Sequence, residues 1–138
     1  MTKLMTNRVL PLSVMLAAML AFAWNAGSAL LAKDEVKKSE SACIKTCVEC
    51  AKVCKECSDC CKKDRPECSK MCLTCHHMCE VCASLHQSNS KLAEDACVIC
   101  EKLCRECSAK CKESKMECCK LCAEKCLKCA EACKASRG

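Results

Sequence analysis

The sequence predicts an all-α protein, an antiparallel up-down-up-down four-helix bundle with a core lined by cysteine. The chain has 138 residues, of which 23 are cysteine. Most cysteines recur at alternating gaps of four and three residues, a spacing that places them on one face of a helix. Four such runs are separated by short breaks, and short connections make neighbouring helices antiparallel.

The four runs predict helices over residues of about 41–63, 66–87, 91–113 and 115–135. Each run resembles a heptad seam in which cysteine replaces the usual apolar residue. The runs comprise Cys43, Cys47, Cys50, Cys54, Cys57 and Cys61; Cys68, Cys72, Cys75, Cys79 and Cys82; Cys97, Cys100, Cys104, Cys107 and Cys111; and Cys119, Cys122, Cys126, Cys129 and Cys133. His86 takes the next position in the second run.

The breaks between the runs carry turn signals. Pro66 follows Asp64-Arg65 and suits an early helical position. Gln87-Ser88-Asn89-Ser90 forms a polar loop. Ser114 and Glu117 have the spacing of a capping box and predict the start of the last helix.

The chain also contains an internal repeat. Residues 50–58 match residues 100–108, and the cysteines of the second run align with those of the fourth. In this alignment His86 falls onto Cys133. The repeat indicates duplication of a helical hairpin.

The composition leaves little for an ordinary hydrophobic core. Phe22 and Trp24 are the only aromatic residues. Cysteine and alanine bury less apolar area than Leu or Phe, so metal bonds or disulfides are needed to hold the fold. The net charge of +6 is spread over interspersed acidic and basic residues, which disfavours nucleic-acid binding.

The N-terminal residues have the plan of a secretory signal peptide. Lys3 and Arg8 precede an apolar run that ends in small residues, which predicts a signal peptide over 1–29 with cleavage after Ala29 or Ala32. A flexible segment over 30–40 and the bundle over 41–138 would follow. We expect an exported protein without membrane attachment, periplasmic in a bacterium with two membranes and otherwise extracellular. An uncleaved membrane anchor is the alternative.

The cysteine spacing favours a store of copper(I). Thiolates three or four residues apart on a helix can hold one ion between them, and soft thiolates select Cu(I). We expect many Cu(I) ions per chain, with all 23 cysteines as ligands, including Cys60 and Cys118, which lie beside the main runs. Cysteines from two helices could instead hold zinc or cadmium, and zinc is the less favoured metal.

Other functions remain possible at this stage. A disulfide-linked exported structural protein is the main alternative, because exported cysteine-rich domains are usually cross-linked. The cysteine number is odd, however, and stacked side chains cannot all meet disulfide geometry. A thiol-disulfide oxidoreductase is disfavoured because no Cys-x-x-Cys follows a βαβ pattern. We expect no enzymatic activity.

The repeated Cys-x3-Cys-x2-Cys runs, such as Cys43 to Cys57 and Cys119 to Cys133, resemble those of the four-helix-bundle copper storage proteins. This cysteine-rich family has exported and cytosolic members, and the similarity covers residues of about 41 to 135. The resemblance implies Cu(I) bound by thiolates inside the bundle, admission at one open end, and a homo-oligomer. Copper chaperones or copper enzymes are the expected protein partners.

The two ends of the predicted bundle differ. One gathers soft donors, and we expect copper to be admitted there near Met71 and Met116. The other carries Val36, Leu85, Leu92 and His86 and resembles an apolar plug, with His86 a candidate ligand or gate. His76 and His77 lie beside the second cysteine run and are expected on its flank or in solvent.

Overall fold

The computed structural model describes the backbone of residues 12–137 and the side chains of residues 31–137. Within these limits every regular element is a helix: α1 (Leu12–Cys61), α2 (Pro66–Gln87), α3 (Ala93–Lys112) and α4 (Glu117–Ala135). The chain forms two units, Met1–Glu35 and Val36–Gly138. The second unit contains all the cysteines.

The predicted bounds of the last three helices, and the end of the first, agree closely with the structure. Helix α2 begins at Pro66, whose fixed φ and missing N–H suit the first helical position. The polar connection from Ser88 to Leu92 ends this helix, and Asn89 adopts a positive φ of 51° there, a conformation that asparagine tolerates well. The number of helices in the bundle and their order are as the sequence predicts.

The N-terminal boundaries differ from the expectation. Helix α1 runs from Leu12 to Cys61, so residues 30–40, expected to be flexible, are helical. Their alanine, lysine and glutamate residues are good helix formers, and the segment contains neither glycine nor proline. The predicted signal peptide lies outside the residues whose side chains are described. Among the described residues, no helix is long and apolar enough to cross a membrane.

The predicted capping box at the start of α4 is wrong. The N-cap is Met116, and no side chain caps this helix. The Ser114 hydroxyl instead accepts a hydrogen bond from the backbone N–H of Met116, at 3.2 Å. Ser114 therefore shapes the turn before the helix, a common alternative use of a serine side chain.

The core of the second unit consists of cysteine with a few small residues between the helices. Every residue of the four cysteine runs is at most 1% exposed. Ala51, Ala83 and Ala123 fill the gaps between helices. Buried hydroxyls also pair: Ser58 and Ser69 lie 3.0 Å apart, and Ser108 donates to the carbonyl of Ala123. Small side chains let the helices approach closely and bring the thiols together.

Candidate metal centre

The sulfur atoms of all four helices meet along the bundle axis. Between α1 and α4, Cys47 contacts Cys129 at 3.5 Å and Cys54 contacts Cys122 at 3.7 Å. Residue numbers therefore rise along one helix as they fall along the other. The same holds for α2 and α3, where Cys75 meets Cys104 at 3.6 Å. This pairing supports the predicted up-down-up-down order.

Groups of four thiols form layers across the bundle, with each sulfur within 4.8 Å of the others. Several layers take one cysteine from each helix, including Cys43, Cys82, Cys97 and Cys133 at one end and Cys50, Cys75, Cys104 and Cys126 near the middle. A thiolate tetrahedron around zinc has sulfur atoms roughly 3.8 Å apart, so one layer alone fits zinc as well as copper.

Adjacent layers share their sulfurs, which separates this arrangement from a set of isolated zinc sites. Cys82 and Cys133 each belong to two layers, and so does Cys50. Contacts along single helices, such as Cys43 to Cys47 at 3.9 Å, join the layers further. A closed structural zinc site has its own four ligands. A continuous column of shared thiolates suits bridged clusters of a soft ion.

Hydrogen bonding between thiols separates their pKa values. Interaction with neighbouring thiols, Cys104 first, lowers the pKa of Cys50 far below the ordinary value. Interaction with Cys107, followed by other thiols, raises the pKa of Cys54. The thiols of the column therefore differ in how readily they lose a proton. Metal binding would release the protons that remain.

Two cysteines that the sequence placed among the ligands are joined by a disulfide. Cys60 at the end of α1 bonds to Cys118 at the start of α4, with their Cα atoms 6.7 Å apart. The other 21 cysteines are free thiols. Because the two sulfurs are bonded to each other, neither is a thiolate here, and the prediction of 23 thiolate ligands requires their reduction.

We call the region around this link the disulfide end; it also contains Met71, Met116, Cys61 and Cys68. Both methionines are partly buried against the cysteine core. Burial raises the pKa of the Cys61 thiol, with the thiol of Cys68 acting in the opposite direction. Soft thioethers thus adjoin buried thiols at this end, as the sequence predicts.

We call the opposite region the histidine end; it comprises Cys43, Cys97, Cys133, His86 and Ser136. The His86 Nε2 atom lies 2.9 Å from the Cys97 sulfur, and His86 is only 8% exposed. Burial lowers the pKa of His86, but the adjacent Cys97 sulfur outweighs this and raises it. Thiol hydrogen bonding, mainly from Cys133, lowers the pKa of Cys97 to about 6.

Of the apolar residues expected to form a plug at the histidine end, only Leu85 packs against the cysteine core. Val36 is 47% exposed and Leu92 is 59% exposed, so neither side chain covers the thiols. A polar cavity of about 190 Å³ lies here instead, lined by His86, Glu40 and Ser136 among others. Val36 and Leu92 lie beyond the helical turns that contact the core. Polar side chains therefore line most of the cavity at this end.

Sequence reasoning missed Ser136 and the pairing of Cys60 with Cys118. The Ser136 hydroxyl lies 3.2 Å from the Cys97 sulfur. Its position, three residues after Cys133, continues the helical stripe and was a usable signal. Cys60 and Cys118 are each the first member of an adjacent pair at the same end of the bundle, which also pointed to their proximity.

The other two histidines lie outside the thiol column. His76 is partly buried on the flank of α2, with its side chain 15% exposed, and the His77 side chain is 65% exposed. These positions match the expected flank and solvent placements.

Comparisons with known proteins agree with the site. The family model described as "Csp: Copper storage protein" matches residues 36–137. The solved structure of apo-Csp3, copper storage protein 3 from Bacillus subtilis, is 28% identical with a TM-score of 0.68; the match covers 71% of this chain and 98% of that one.

A second solved structure is the Cu(I)-bound copper storage protein BsCsp3. It is 26% identical with a TM-score of 0.69, and the match covers 72% of this chain and 99% of that one. No curated protein sequence matches the chain significantly. The similarity therefore comes from the family model and from solved structures that align over nearly their whole length.

Proposed function

The chain belongs to the copper storage protein family, and from that premise we propose that it stores and sequesters many Cu(I) ions through its core thiolates. The observation that carries the proposal is the continuous column of 21 buried free thiols. Soft thiolates select Cu(I), and the similar BsCsp3 structure is of a Cu(I)-bound protein. Storage requires no turnover, and we propose no enzymatic role.

The proposed ligands are the cysteines of the four runs, with Cys60 and Cys118 joining them when their disulfide is reduced. His86 is an accessory ligand at the histidine end, because its Nε2 atom adjoins the Cys97 sulfur. Met71 and Met116 are accessory donors at the disulfide end, where they pack against the core. Each end thus offers a different kind of donor for passing copper to the thiolates.

Further parts of the proposal concern the setting of the protein. We propose export through the N-terminal signal peptide, to the periplasm or the cell exterior, followed by assembly into a homo-oligomer. Copper chaperones or copper enzymes would supply or receive the ions. Reduced thiols in an oxidising compartment would be protected once copper occupies them, because the metal-bound sulfur is no longer free to form a disulfide.

A store for zinc or cadmium is the second candidate, favoured by the four-thiol layers. Stoichiometry distinguishes the two metals. If each zinc takes four thiolates of its own, 21 thiols supply at most about five sites. Cu(I) held between two thiolates allows about ten ions or more.

The test is a titration of the mature protein with Cu(I) in the presence of a competing chelator, with a parallel zinc titration. We expect about ten or more Cu(I) equivalents bound, and zinc displaced when copper is added. Binding of only one or two Cu(I) equivalents would refute storage. Retention of zinc against excess Cu(I) would instead favour the second candidate.

A further inference from the structure

Three side chains on the outside of helix α2 converge on one point. The Glu80 Oε2 atom lies 3.4 Å from His76 Nε2 and 3.6 Å from His77 Nδ1. The glutamate is four residues after one histidine and three after the other, so all three side chains share one flank of the helix. None of them belongs to the thiol column.

The orientation of the His76 ring is fixed by the neighbouring helix. Its Nδ1 atom lies 3.0 Å from the backbone carbonyl of Ala51 in α1. A carbonyl oxygen only accepts hydrogen bonds, so Nδ1 carries the proton and donates it. Nε2 is then the ring nitrogen that faces Glu80 and is left to bind a metal ion. A backbone carbonyl that holds the second ring nitrogen is the usual support for a metal-binding histidine.

The donor spacing fits a metal ion. Zinc binds histidine nitrogen and carboxylate oxygen at about 2.1 Å, which places tetrahedral donors roughly 3.4 Å apart. The two nitrogen–oxygen distances at Glu80 already have this length. Among the described residues, Glu80 has no lysine or arginine partner within ion-pair distance and contacts only the two imidazoles.

We propose that His76, His77 and Glu80 form an exterior site for a borderline divalent cation of the zinc class, separate from the thiolate column. Imidazole and carboxylate donors suit such ions and not the soft Cu(I) ion. The exposed His77 and Glu80 side chains leave the remaining coordination positions to water or to a ligand from another molecule. The chain thus holds two metal sites of different chemical preference, and this inference does not depend on what fills the core.

The chain has only three histidines, which makes the test specific. Zinc chloride is titrated into ¹⁵N-labelled full-length protein, and the imidazole nitrogens are followed by NMR. We expect the resonances of His76 Nε2 and His77 Nδ1 to move together with one binding curve, independently of those of His86, which report the thiol core. Imidazole signals report this site whether or not zinc or copper also enters the core.

Two exposed substitutions on α2 complete the experiment. Glu80→Gln removes the carboxylate and should weaken zinc binding at the two imidazoles by about tenfold or more. Glu67→Gln, which removes an exposed carboxylate at the start of the same helix, should leave the curve unchanged. The proposal is overturned if the His76 and His77 resonances do not respond to zinc, or if Glu80→Gln binds as tightly as the unaltered protein.

Discussion

Cysteine has different roles at the two ends of the bundle. At the disulfide end, Cys60 and Cys118 are withdrawn from metal binding by their covalent bond, and burial raises the pKa of Cys61. At the histidine end, Cys97 has a pKa lowered to about 6 and adjoins His86, which borders a polar cavity. One end is cross-linked by a disulfide, while at the other a buried thiol adjoins an imidazole that borders a cavity.

The difference shows how a bundle with a repeated sequence acquires unlike ends. The cysteine stripes are nearly equivalent along their length, so the contrast comes from the few residues outside the stripes. A single extra cysteine on each of two helices makes a cross-link possible. A histidine in place of the repeat-related cysteine puts an imidazole nitrogen 2.9 Å from the Cys97 sulfur, where a thiolate would stabilise a protonated ring.

The largest predicted effect is that Cu(I) binding removes the difference in amide hydrogen exchange between the two ends. In the metal-free protein we expect amide hydrogen exchange to be faster at the histidine end, because no covalent link restrains it. Saturation with Cu(I) should slow exchange at both ends and raise the free energy of unfolding by more than about 4 kcal/mol, the amount for one site at a thousandfold excess over Kd. Equal exchange at both ends without copper would contradict this comparison.

The next largest predicted effect is a loss of stability when the disulfide between Cys60 and Cys118 is removed. The bond closes a loop with a sequence separation of 58 residues, for which chain entropy predicts a stabilisation of about 4 kcal/mol. Cys60→Ser with Cys118→Ser should lower the free energy of unfolding of the metal-free protein by up to this amount in urea titrations. A thiol assay without reductant should count 21 thiols in the unaltered protein.

Reductant provides the matched control for this prediction. It should destabilise the unaltered protein to the level of the double variant and leave the variant itself unchanged. A count of 23 thiols before reduction, or no stability loss in the double variant, would show that the disulfide end is not closed.

A smaller effect, on Cu(I) capacity and loading rate, is predicted for a substitution at the histidine end. His86→Leu keeps a buried side chain of similar size but removes the nitrogen next to Cys97. We expect this variant to lose about one Cu(I) equivalent at saturation and to load more slowly in stopped-flow measurements against a chelator. His77→Leu removes an exposed imidazole instead and is the control. Unaltered capacity and rate in His86→Leu would exclude a copper-binding role for His86.

The smallest effect is predicted for the thioethers at the disulfide end. Met71→Leu with Met116→Leu should slow Cu(I) loading less than His86→Leu does and leave the final capacity unchanged, because the thiolates remain. Met78→Leu replaces a methionine that also packs against the core but lies away from the ends. If the double variant loads as fast as Met78→Leu, copper is not admitted near Met71 and Met116.

Much of the fold was predictable because the stripes are long and regular. The bounds of α2 and the approximate bounds of α3 and α4 could be predicted from the positions at which the regular cysteine spacing stops. The start of α4 was less predictable: Ser114 matched a capping pattern, yet its hydroxyl serves the turn. Serine side chains compete for nearby backbone groups in several ways of similar energy, and local sequence alone does not choose between them.

The sequence was enough to predict which residues form the candidate site, but not which of them contact one another. The spacing indicated that Cys50 and Cys54 share a face, but not that Cys126 of α4 contacts both. Val36 and Leu92 do not pack over the thiols as expected. The apolar character of a residue near a helix end does not show whether another element lies close enough for it to pack against. Burial depends on neighbours that the local sequence does not contain.

By itself, the sequence determined the number of helices in the bundle, the face that each buries and the thiol-lined core, because a period of three and four residues is a local property of the helix. The tertiary structure alone decided which thiols share a layer, that Cys60 meets Cys118, that His86 adjoins Cys97, and that Ala51 orients His76. Each of these depends on the axial shift and rotation of one helix against another. The packing of small residues between helices sets both, and no single stripe specifies them.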